Sequence, residues 1–140
     1  MSKLIISISL LLLAYLLFLG YLKFQERKNS PKLDKTKVDK LILFYRNQLN
    51  LKNKKIHYEF TNKKQSNSEL KNGIYFIKFG KSALEITVLH ELFHIYRGDC
   101  DNHGKGIFNY VRIRLLYFFL FEPRTMIHSI QNKTINQQHF

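Results

Sequence analysis

A chain of 140 residues has room for one small domain of about 110 residues once a single apolar terminal segment is set aside. Its formal net charge is +13, and Cys100 is the only cysteine, which excludes an internal disulfide. The basic excess favours anionic surfaces, but the lysines are scattered without the aromatic–basic interleaving of a nucleic-acid reader. A solvated basic surface is the plainer expectation, and nucleic acid is not expected as a partner.

Leu4 to Leu22 reads LIISISLLLLAYLLFLGYL and carries no charge. As a helix it is long enough to cross a hydrocarbon core, which takes ~20 apolar residues. Phe18-Leu19-Gly20 and the residues beyond supply no small-x-small cleavage site, so an uncleaved single-pass anchor is expected over 1–22. Lys3 precedes it, whereas Lys23, Arg27, Lys28, Lys32, Lys35, Lys37 and Lys40 come after it. This asymmetry predicts a cytoplasmic C-terminal domain. Leu115 to Phe121 is too short for a second span and comes just after Arg112 and Arg114.

Residues 23–32, with Pro31, read as a linker, and 33–123 as the domain. From Leu33 to Leu51 the apolar residues Val38, Leu41, Ile42, Tyr45 and Leu49 fall at helical spacing. Ile56 to Phe60 alternates as a strand, Thr61 to Asn72 is polar and reads as a loop, and Ile74 to Phe79 is a second strand between Gly73 and Gly80. The two strands are expected in one antiparallel sheet. Ser82-Ala83-Leu84-Glu85 has capping-box spacing, predicting a helix that runs to Arg97 and stops at Gly98. After a polar loop from Asp99 to Gly106, a helix is expected over Ile107–Phe121, closing near Pro123. The tail, 124–140, is polar and expected to fray. The fold class is α+β.

His90-Glu91-Leu92-Phe93-His94 lies on the predicted helix. Two imidazoles four residues apart share one face and can hold one Zn2+. Glu91, beside the first ligand, is placed to take a proton from a zinc-activated water as that water attacks a peptide carbonyl. The competing view of these residues is a helix with two satisfied histidines. A catalytic zinc needs a third protein ligand, and His103, Asp99, Asp101 and Glu122 are the downstream candidates. Asp99 and Asp101 fit equally as acceptors for a ligand imidazole or as turn residues. Cys100 reads as a packed thiol, Tyr96 and Tyr110 as aromatic core before oxyanion donors, and His57, His128 and His139 as residues without a role. Asn132-Lys133-Thr134 is a glycosylation sequon, without meaning in a cytoplasmic domain.

From Gly73 to Phe108, the strand, the histidine motif, the acidic loop and His103-Gly104 resemble the SprT-like and WLM-type zincin metallopeptidases. The resemblance implies a minimal zincin-like domain after the anchor, with zinc on His90, His94 and His103 and Glu91 as the catalytic base. It also implies an extended protein or peptide substrate along the Gly73–Gly80 strand. The expected function is a membrane-anchored zinc metallopeptidase. The alternative from another class is a non-enzymatic basic membrane protein that binds anionic lipid or a protein partner, its metal site structural or vestigial.

Overall fold

The computed structural model describes residues 2–101 and 107–136. Helix α1 (Ser2–Arg27) leads into α2 (Val38–Gln48), strands β1 (Ile56–Phe60), β2 (Asn67–Lys71) and β3 (Ile74–Phe79), and helix α3 (Glu85–Arg97). Helix α4 (Ile107–Leu116), a π-helical turn (Tyr117–Phe121) and helix α5 (Glu122–Asn136) complete the α+β chain.

Helix α1 is the one described helix long and apolar enough to cross a membrane, over Lys3–Arg27 with mean hydropathy 2.4. It continues through residues 23–27, which the sequence assigns to a linker, and its last turns leave lipid-like exposure behind: Leu22 and Glu26 are buried. Asn29, in the left-handed region at φ 59°, turns the chain off the helix. Residues 30–33 then pack on the start of α3. Ser30 Oγ accepts the Ile86 N–H at 3.1 Å, Pro31 C=O accepts the Glu85 N–H at 2.9 Å, and Leu33 N–H donates to Ala83 C=O at 3.1 Å. The link thereby satisfies amides that a helix start leaves without partners.

The expectation of an antiparallel pairing between Ile56–Phe60 and Ile74–Phe79 is corrected. The sheet is mixed, in the order β1-β3-β2: β1 runs parallel to β3, and β2 antiparallel to it. The reason lies inside the segment whose polarity suggests a loop. Asn72 (φ 49°) and Gly73 (φ 77°) both take positive φ, the two-residue turn that closes a hairpin between β2 and β3. β2 takes one edge of β3, and β1 lies on the other, parallel to β3. β3 is therefore central, and no substrate can lie along its edges.

Val38, Leu41, Tyr45 and Leu49 of the α2 region meet Tyr75, Ile77 and Phe79 of β3 and Ile86, Leu89 and Leu92 of α3 in one core. Full burial of an aliphatic or aromatic side chain stabilises by about 1.5–3 kcal/mol. The start of α3 also differs from expectation. Ser82 does not cap it: its hydroxyl donates to Lys64 C=O, and Leu84 is the cap, its N–H donating to Thr87 Oγ1 at 2.9 Å. Gly98 ends the helix at φ 72°, as expected.

Pro123 does not close the last helix, and the chain from Arg124 to Asn136 does not fray. Proline lacks an N–H and crowds the preceding turn of an α-helix. Here the turn before it is widened, with the Glu122 N–H bonding back to Tyr117 C=O, five residues earlier. Pro123 then sits in the first turn of α5, where its missing donor costs little. Phe121, Thr125 and Ser129 form a buried stripe at four-residue spacing, and α5 packs on α1 and α3. Two of those residues are small and polar, which hides the stripe from a hydrophobic count.

Candidate metal centre

Leu89, Leu92 and Ile95 turn one face of α3 into the core. The opposite face carries His90 and His94 towards α1 and α5, and the one-turn spacing leaves their Nε2 atoms 3.2 Å apart. Each ring has its other nitrogen tied to a carboxylate. His90 Nδ1–H donates to Glu26 Oε1 at 2.6 Å, and His94 Nδ1–H donates to Asp99 Oδ2 at 2.9 Å. These bonds fix the tautomer in each neutral imidazole and aim both Nε2 lone pairs at one point.

Glu122 completes the group. Its Oε2 lies 3.4 Å from His90 Nε2, and its Oε1 3.7 Å from His94 Nε2. The ligand atoms of His90, His94 and Glu122 all fall within 4.8 Å of one another, so these residues could hold a metal ion. Tetrahedral zinc with bonds of about 2.0–2.1 Å sets its ligand atoms about 3.3 Å apart. The separations here fit that spacing. Two lone pairs and a carboxylate facing one another need positive charge between them. Burial would lower the pKa of His90, but Glu26 and Glu122 outweigh it and hold the ring well above its ordinary value. Burial likewise opposes charge on His94, yet the bonds to Asp99 and Glu122 raise it. Burial would raise Glu122, and its bonds to the two rings hold it below the carboxylate range.

The supports are themselves supported. Asp99 is 3% exposed, and its second oxygen accepts from the Arg124 guanidinium, which also lies over the Phe121 ring at 4.6 Å. Thr125 Oγ1 stands 3.4 Å from His94 Nδ1 and donates to Phe121 C=O at 2.8 Å. Tyr117 stacks on the His94 ring with centroids 5.2 Å apart, and burial pushes its phenol far above its ordinary pKa.

Glu91 is 5% exposed and points to the sheet side of the group. Burial raises its pKa, partly offset by His90 and His94 and by a hydrogen bond with Ser68 of β2. Cys100 is a packed thiol: its Sγ–H donates to Ser68 Oγ at 3.3 Å, and burial pushes it up to about 12.

Of the sequence candidates, His90, Glu91, His94, Asp99 and Glu122 come together. Asp101 lies apart, accepting from the Tyr75 hydroxyl at 2.9 Å. Tyr96 and Tyr110 are exposed and donate nothing to the site, so neither forms the aromatic core expected of it. His57 stacks on Phe76, and His128 on Phe93. His103 and His139 lie outside the described residues. Sequence reasoning misses Glu26, Tyr117 and Ser68. Glu26 gives one signal, a carboxylate among cations at the end of an apolar helix. A basic hollow lined by Lys32, Lys35 and Lys81 shares no residue with the centre. No protein-family model, curated protein or solved structure matches the chain.

Proposed function

We propose that the protein is a membrane-anchored, zinc-dependent peptidase whose third metal ligand is Glu122. One observation carries this reading. The Nε2 atoms of His90 and His94 and the Glu122 carboxylate converge at ligand spacing, while the two Nδ1–H groups are held outward by Glu26 and Asp99. The residues fit zinc: two imidazoles and one carboxylate are a mixed nitrogen–oxygen set with a position left over for chemistry. Such an ion, when bound, polarises a peptide carbonyl and acidifies water.

The chain's own residues supply the rest. Glu91, buried and raised, takes the proton of the attacking water and passes it to the leaving amine. The outer edge of β2 has no strand partner among the described residues, and Ser68 on that strand faces Glu91. An extended peptide adding to this edge would bring its backbone past the base, a β-augmentation mode. Glu26 belongs to the last turn of α1, so the centre stands where the apolar helix ends. Substrate is therefore a protein or peptide close to the bilayer. The cations beyond the apolar stretch of α1 favour the cytoplasmic side.

The resemblance to SprT-like zincins would put His103 in the place proposed here for Glu122. The peptidase reading itself is tested with the full chain, zinc and an unstructured fluorogenic peptide. Glu91→Gln is expected to keep its zinc and to lose about 10²–10⁴-fold in cleavage rate. An unchanged rate in that variant would overturn the mechanism.

A further inference from the structure

Helix α4 has no buried residue. Ten residues of helix in water are marginal without packing, so something other than this chain's core must cover it. Its exposed apolar side chains are not scattered. Ile107 (76% exposed), Phe108 (90% exposed), Val111 and Leu115 fall within about a third of the helix circumference at 100° per residue, and Phe118 and Phe119 extend the face. Arg112 and Arg114 border it on either side, Arg114 lying over the Tyr110 ring at 5.2 Å. An apolar face edged by arginines is the pattern of a helix lying in a membrane interface, where long cationic stems reach back to head groups.

The occupant is identified by continuity with α1. Tyr15 lies in the C-terminal half of the apolar stretch of α1, about 10 Å of helix before its end at Leu22, and its hydroxyl donates to Phe118 C=O at 2.6 Å. Its ring sits 5.4 Å from that of Phe118 and 5.1 Å from that of Phe119. Phe118 and Phe119 thus share a level with the membrane-compatible part of α1, and the two apolar surfaces join. Here we propose that α4 and the π-helical turn form a second membrane contact, seated in the same leaflet that α1 enters, with the bilayer as the occupant of the apolar face. The proposal rests on α1 spanning a membrane and not on peptidase activity. Helix α4 feeds through the π-helical turn into Glu122, so lipid contact on this face bears on the placement of the third proposed ligand.

The chain contains no tryptophan, so a single introduced Trp reports its own surroundings. The full chain is reconstituted in phosphatidylcholine–phosphatidylglycerol vesicles with brominated acyl chains. Four variants are compared: Phe108→Trp and Phe119→Trp on the proposed face, Leu13→Trp on α1, and His57→Trp on the exposed side of β1. Phe108→Trp and Phe119→Trp are expected to lose most of their emission to bromine, as Leu13→Trp does, and to resist aqueous acrylamide. His57→Trp should behave in the opposite way. Quenching of Leu13→Trp alone would overturn the second contact, whether the face then meets water or a second copy of the chain. If Leu13→Trp also escapes bromine, the membrane span fails and the proposal falls with it.

Discussion

The Nδ1–H of His90 reaches an acceptor 64 residues earlier in the chain, Glu26 Oε1, and Glu26 is only 6% exposed. A carboxylate buried this far needs a partner, and the imidazole is it. With the ring so fixed, His90 presents a basic Nε2 in one orientation. Loss of an outer acceptor of this kind costs about 10–100-fold in metal affinity. Glu26→Ala is therefore expected to weaken zinc binding by that factor in a chelator competition, with helix content unchanged by circular dichroism. Equal affinity in the variant would show that Glu26 does not position the ligand. His90, Glu91 and His94 are legible because imidazoles four residues apart share one face of a helix, the spacing a metal site would use. Glu26 is not, because it reads as the polar end of an anchor, and only tertiary packing carries it to α3.

The hairpin of β2 and β3 is written in two residues, Asn72-Gly73, flanked by short alternating runs. The polar composition of 61–72 outweighs that turn signal, and with β2 go the sheet order and the direction of β1. β2 keeps its polar look because only Ser68 and part of Leu70 face inward, and Ser68 has Glu91 and Cys100 to bond. Gly73 at φ 77° occupies a region that costs a side-chain-bearing residue about 1–2 kcal/mol. Gly73→Ala is expected to lower stability by that amount in urea unfolding of the full chain in detergent. A change near zero would mean that the turn relaxes to another type. The helical elements obey the same logic. The core face of α2 and the Gly98 stop are plain in the sequence. The widened turn at Tyr117–Phe121 is not, because it answers Pro123 and the packing of α5 together.

Over the whole molecule, α1 is both a helix long and apolar enough to cross a membrane and a structural element of the domain. Its lipid-compatible part is exposed from Lys3 onward, while Leu22 and Glu26 pack into the domain and Lys133 Nζ donates to the carbonyl oxygens of Gln25 and Glu26. The candidate metal group and its carboxylate supports come from α1, α3 and α5, so the apolar helix and the proposed site share one frame. Such a frame requires that α1 be retained: intact-mass measurement of protein from membranes should find Leu4–Leu22 present. A mature chain beginning near Lys23 would contradict this. The cations that follow Leu22 predict separately that protease added outside intact cells spares the domain. The central claim, that Glu122 is the third ligand, is tested most directly by zinc content and affinity of the full chain carrying Glu122→Ala, His103→Ala or no substitution. Glu122 follows directly on the π-helical turn and lies 3.4 Å from His90 Nε2 and 3.7 Å from His94 Nε2. The unsubstituted chain and His103→Ala are expected to hold about one zinc per chain, the single site that these ligands define, and Glu122→Ala to lose it. Loss of zinc from His103→Ala, with Glu122→Ala still loaded, would contradict the account and give the third position to His103.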